Sequence, residues 1–199
     1  MFLRFNIWNS LPTTFFAATV VMMLSSGHSL SAQQLNASDG RFQDRFGQSV
    51  SLSGNTGLIG TARDDSNGGV AYIFHNLNTA TGTVRESARL IASDGVSGLL
   101  FFPGDRFGGS VSLSGNTGLI GSALDDDLRP GFNGVNSGSA YIFRNLDTAT
   151  GTVNESVKLI ASDGAESDQF GISVSLSGNT GLIGAFGDCL LYTSPSPRD

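Results

Sequence analysis

Apolar and polar residues alternate from Gln48 to Leu52, which puts Val50 and Leu52 on one face of an extended segment and Ser49, Ser51 and Ser53 on the other. The turn Ser53-Gly54-Asn55-Thr56 follows, and a Gly-Asn pair between such runs predicts a hairpin with its second strand over Gly57 to Ala62. A third segment, Val70 to His75, sets Tyr72 and Phe74 to one side and Ala71 and Ile73 to the other. A strand that is apolar on both faces must be covered on both. After the polar stretch NLNTATGTV, a fourth segment runs from Glu86 to Ser93 and ends in the turn Ser93-Asp94-Gly95.

This pattern recurs. The string SVSLSGNTGLIG stands unchanged at Ser49 to Gly60, Ser110 to Gly121 and Ser173 to Gly184, each time one residue after a Phe-Gly pair. Four short strands per unit of roughly 60 residues, with sheets needing neighbours on both faces, predict radially packed blades. The alternative is a parallel β-solenoid, whose coils are usually shorter. The expected fold is therefore all-β, a partial β-propeller of about two and a half four-stranded blades: 35–95, 96–164 and an incomplete 165–188. The remaining blades would come from the same chain.

The two ends read differently from the repeats. Arg4, the apolar run from Phe15 to Leu24 and the small polar stretch ending at Ala32 have the layout of a signal peptide over residues 1–32. The run is too short to span a membrane as a helix, so the expectation is an exported protein, secreted or on the cell surface, and not a transmembrane one. Cys189 to Asp199 shares nothing with the repeats and resembles the translation of a transposase sequencing adapter, so it is read as a foreign tail. Residues 33–188 then contain no cysteine, and their 16 acidic against 9 basic side chains give a net charge of −7. Such a surface argues against nucleic acid or an anionic membrane as partner.

The stretches FGQSVSLSGNTGLIGTARDD, FGGSVSLSGNTGLIGSALDDD followed by GSAYIF, and FGISVSLSGNTGLIGAFGD resemble the bacterial branch of the FG-GAP repeats, known also from the integrin α-subunit head. The resemblance covers residues 35–188 and implies a β-propeller, commonly of seven blades. It also implies that Phe46, Phe107 and Phe170 pack between blades while Gly47, Gly108 and Gly171 allow close backbone approach. The integrin-type calcium loop DxDxDG is replaced here by SGNTG, which carries no carboxylate.

Function is sought where the copies differ. From Ala71 to Gly95 and from Ala140 to Gly164 the sequences agree at 20 of 25 positions. Length changes fall in two connections: Thr61 to Val70 grows from ten residues to the eighteen of Ser122 to Ser139, and Gly95 to Phe107 carries the insertion VSGLLFFPG. Alternate connections of an up-and-down sheet emerge at the same edge, so both variable loops share one face. That face also receives Asp44, Asp105 and Asp168, the carboxylates Asp64, Asp65, Asp125, Asp126 and Asp127, and the patch Leu99, Leu100, Phe101 and Phe102. The Asp groups read first as turn caps that accept backbone N–H groups, with calcium as the rival at the clustered carboxylates, and the loops are candidates for a protein or carbohydrate ligand. His75 has Arg144 as its counterpart, and neither a cysteine nucleophile nor GxSxG is present. The expectation is a non-catalytic binding or adhesion scaffold. The rivals are an accessory propeller of a larger secreted enzyme and a purely structural envelope or matrix element.

Overall fold

The computed structural model describes residues 20–26, 29–41, 44–63, 68–96, 104–126 and 135–188, with side chains from Gln33 onward. Fourteen strands follow the repeat: β1 (Val20–Ser26), β2 (Ser29–Asn36), β3 (Ser49–Ser53), β4 (Thr56–Thr61), β5 (Val70–Phe74), β6 (Thr83–Arg85), β7 (Ala88–Ile91), β8 (Phe107–Ser114), β9 (Thr117–Ser122), β10 (Ser139–Phe143), β11 (Gly151–Asn154), β12 (Val157–Leu159), β13 (Ser173–Ser177) and β14 (Thr180–Gly184). The first blade is the antiparallel meander β3-β4-β5-β7, the second is β8-β9-β10-β12, and the third consists of the hairpin β13-β14. These meanders are blades and not solenoid coils. The described residues do not close a ring.

Each predicted hairpin forms, and its turn glycine, Gly54, Gly115 or Gly178, takes φ of 59°, 58° or 56°. A positive φ at the first central residue is what a tight hairpin turn asks of glycine. The third strand is buried along its whole length in the first blade, and its two faces enter two different cores. Ala71 and Ile73 join Leu58 and Leu90 against Phe107, Val111, Leu113, Ile120 and Tyr141 of the second blade. Val70, Tyr72 and Phe74 pack with Leu35, Phe46, Ile59 and Leu77 on the other side. The core is thus a set of layers between blades, at roughly 25 cal/mol per Å² of apolar surface covered.

The sequence pattern did not predict β6 and β11, both within the polar connection from third to fourth strand. β11 runs parallel to β7 of the preceding blade, with Thr152 opposite Arg89 and Val153 opposite Leu90. β6 pairs with β2 in the same register, with Thr83 opposite Gln34 and Val84 opposite Leu35. Each of these strands closes the outer edge of its neighbour's sheet, which would otherwise present unpaired backbone groups.

The end of β2 therefore stands where a fourth strand stands, with its turn in residues 37–40. Ser38 gives its backbone N–H (2.9 Å) and its hydroxyl to Glu86, as Ser93 does to Glu155 at 3.0 and 2.6 Å. The sequences LNASDG (35–40) and LIASDG (90–95) carry the same contacts.

Between blades, the serines of the invariant string form a ladder. The Ser51 and Ser53 hydroxyls accept the backbone N–H of Leu113 and Gly115, each at 2.9 Å. Ser112 and Ser114 accept those of Leu176 and Gly178 at the same distance. Ser49 and Ser110 donate to the carbonyls of Gly108 and Gly171, each at 2.8 Å. At this crossing a Cβ on Gly60 would lie 2.0 Å from the Gly108 carbonyl oxygen, and one on Gly121 would lie 1.9 Å from that of Gly171. Only glycine permits that approach.

Candidate functional site

The connections from second to third strand and from fourth strand to the next blade meet on one face, stitched by their backbones. Phe107 N–H donates to Gly68 O at 3.0 Å, and Leu124 N–H donates to Asp105 O at 3.0 Å. One repeat further on, Phe170 N–H reaches Ser137 O at 2.8 Å and Gly187 N–H reaches Asp168 O at 3.1 Å. The hairpin turns and the third-to-fourth connections meet elsewhere: Leu77 N–H donates to Asn55 O at 3.0 Å, and Leu146 N–H donates to Asn116 O at 2.9 Å. His75 lies with this second group, its Nε2 2.7 Å from Leu146 O of the next blade, which makes it an inter-blade residue as well as a strand end.

Among the Phe-Gly pairs, Phe107 is fully buried with its ring 5.3 Å from Tyr141 and 5.9 Å from Phe143. Phe46 lies 5.7 Å from Tyr72 and 6.1 Å from Phe74. Phe170 bridges to Gly138 of the second blade, as Phe107 does to Gly69 of the first. Gly47, Gly108 and Gly171 take φ of 85°, 83° and 90°, a conformation that side-chain-bearing residues rarely adopt.

The aspartates two residues before each Phe-Gly pair are buried and accept loop N–H groups. Asp105 takes the N–H of Val96 and Asp168 that of Ala165, each at 2.6 Å, and Asp44 takes that of Arg41. Burial pushes the Asp105 carboxyl up to about 6; the Val96 hydrogen bond opposes this, and the neighbouring Asp125, Asp126 and Asp94 add to it.

Asp125 and Asp126 fall in the described part of the eighteen-residue connection. Asp125 is buried, accepts the Ser139 hydroxyl and meets Lys158 Nζ at 2.6 Å. Lys158 also holds Asp94 at 2.6 Å and lies 5.5 Å above the Tyr141 ring, whose hydroxyl donates to Asp94 at 3.1 Å. Burial raises the Asp125 carboxyl further than Lys158 and Ser139 lower it. For Asp94 the balance reverses: Lys158 and Tyr141 outweigh desolvation and hold it below the usual carboxylate range. Burial alone would lower Lys158, but the two carboxylates carry it above its ordinary value. The first blade repeats the motif with Asp39, which accepts the Tyr72 hydroxyl at 2.8 Å and pairs with Arg89 at 3.2 Å.

Asp126 accepts the Asn136 N–H at 2.7 Å. A calcium ion at Asp125 would have to displace Lys158, and among the described residues no group of three or more acidic, histidine or cysteine side chains is placed to hold a metal. Asp64, Asp65, Asp127, Leu99, Leu100, Phe101 and Phe102 lie outside the described residues.

One feature of this face has no counterpart in the sequence reading. A hollow of about 130 Å³ between the first two blades is lined by Arg45, Ala62, Arg63 and Arg106. Its signal was present where the copies differ, since the residue before the Phe-Gly phenylalanine is Arg45, Arg106 and then Gln169, and Arg63 is matched by Leu124.

Compared with known families, the chain matches the model of the FG-GAP repeat over residues 31–74, 84–143 and 153–192. No curated protein matches it.

Proposed function

The chain belongs to the FG-GAP repeat family, and from that premise we propose that it is an exported, non-catalytic binding scaffold acting at the cell surface or outside the cell. Its ligand, a protein or a carbohydrate, docks on the face that carries the variable loops. The observation that carries this reading is the division of the molecule. The invariant string is spent on blade-to-blade contacts through its serines and glycines, and every length change falls in the connections gathered on the other side. A rigid scaffold presenting variable loops on one face is the usual arrangement of a binding module.

Further blades of the same chain complete the stack in this reading. Val50 and Leu52 are 58% and 56% exposed at one end, and Leu182 and Phe186 are 72% and 74% exposed at the other. Their equivalents inside the stack are covered. The acidic balance speaks against nucleic acid as ligand.

The test is capture by the full chain on arrays of extracellular proteins and of glycans. Replacing residues 122–139 with the ten-residue connection 61–70 is expected to abolish capture, while substitutions in the turn 114–117 leave it intact. Capture lost through the turn and kept through the loop exchange would overturn the assignment of the face.

A further inference from the structure

The hollow on the variable face is lined by three arginines of an acidic chain. Arg45 and Arg106 sit at equivalent positions of successive blades, each immediately before its Phe-Gly pair, with φ of 59° and 58°. Arg63 comes from the connection after β4, and the small Ala62 completes the lining. All three arginines are exposed, and among the described residues none of them has an ion-pair partner.

The fold does not require them. At the next junction the corresponding residues are Arg106, Ala123, Leu124 and Gln169, and the same backbone pattern is built with one arginine in place of three. Guanidinium groups serve a blade poorly as packing and suit an oxyanion well, because their planar fork matches a carboxylate or sulfate.

We propose that this hollow binds a single oxyanion group, the carboxylate of an acidic sugar. The assignment rests on reading the variable face as the ligand face. The size of the hollow suits one such group. Ala62 is its sole apolar lining residue, so the hollow offers a ligand charge and hydrogen bonds and little apolar surface to bury. The chain's net negative charge, −7 over residues 33–188, repels a dense polyanion. A saccharide with isolated acidic groups meets both conditions.

The experiment is calorimetric titration of the full chain with tri-galacturonate at low salt. Maltotriose serves as the neutral control and a tri-glutamate peptide as the alternative source of carboxylate. Saturable binding of tri-galacturonate is expected, with Arg63→Leu and Arg106→Gln each weakening it about tenfold. Both substitutions install the residue found natively at the next junction or blade, so the fold tolerates them, and far-UV circular dichroism checks this. The paired change Leu124→Arg with Gln169→Arg should add a second site and raise the stoichiometry from one towards two. Unchanged affinity in Arg63→Leu, equal binding of maltotriose, tighter binding of the peptide or no binding of tri-galacturonate would each overturn the assignment. The loop exchange on the arrays judges the face separately, so a failed hollow and a failed face are distinguishable.

Discussion

The same twelve residues stand in the second blade and in the third, and their surroundings differ completely. Leu119 of β9 is 1% exposed, whereas its copy Leu182 of β14 is 72% exposed. Val111 of β8 is 9% exposed, whereas its copy Val50 at the other end of the stack is 58% exposed. What an invariant string contributes is therefore fixed by which neighbours it meets. Each copy has one apolar face towards the blade before it and serines with a leucine towards the blade after it. Only the second copy has another copy of the string on both sides among the described residues.

This contrast is open to direct attack by making one change at two stations. Leu119→Ala empties a packed layer and should cost about 3 kcal/mol in urea unfolding, while Leu182→Ala should stay within about 0.5 kcal/mol. Equal losses would mean that the terminal hairpin is covered in solution. Next in size is Lys158→Met, expected to cost about 2 kcal/mol: the pair with exposed Asp94 is weak, but buried Asp125 is left without its cation. The matching change Arg89→Met in the first blade tests whether Asp39, 40% exposed on its side chain, matters less. Third, Ser112→Ala should cost about 1 kcal/mol by freeing the Leu176 N–H. Ser175→Ala, at the same place in the exposed third copy, should cost nothing measurable.

A further effect is one of pH. A carboxyl raised from 3.8 to about 6 on folding binds its proton more tightly in the native state. Its contribution to stability is therefore greatest below about pH 4 and falls as pH rises through about 6. Asp105→Asn keeps an acceptor for the Val96 N–H and should remove that decline. Asp94 has the opposite sign, because its lowered value stabilises the fold above its ordinary range and that stability is lost in acid. An unchanged pH profile in Asp105→Asn would mean that Asp105 is not the group that titrates.

Much of this was legible in the sequence because it is local or periodic. The hairpins follow from alternation and Gly-Asn turns, the blade layers from the two-faced Val70–Phe74 segment, and the shared face from the parity of up-and-down connections. What escaped lies between units. The serines at alternate positions showed only which face is polar, because their partners stand 59 to 64 residues away in the next blade. β11 is a polar connection in its own blade and a strand only because β7 of the preceding one offers an edge. The arginine hollow draws Arg45, Arg63 and Arg106 from two blades, so no single stretch of sequence displays it.

The central claim is that the invariant string is a blade-to-blade connector, and amide hydrogen exchange at matched positions tests it most directly. The N–H groups of Leu113 and Gly115 donate to Ser51 and Ser53, and those of Leu176 and Gly178 to Ser112 and Ser114. Leu52 and Gly54 hold the same places in the first copy, and among the described residues no serine hydroxyl accepts their N–H groups. Protection of Leu113, Gly115, Leu176 and Gly178 alongside fast exchange at Leu52 and Gly54 is the predicted result. Equal exchange at the matched positions of all three copies would contradict it.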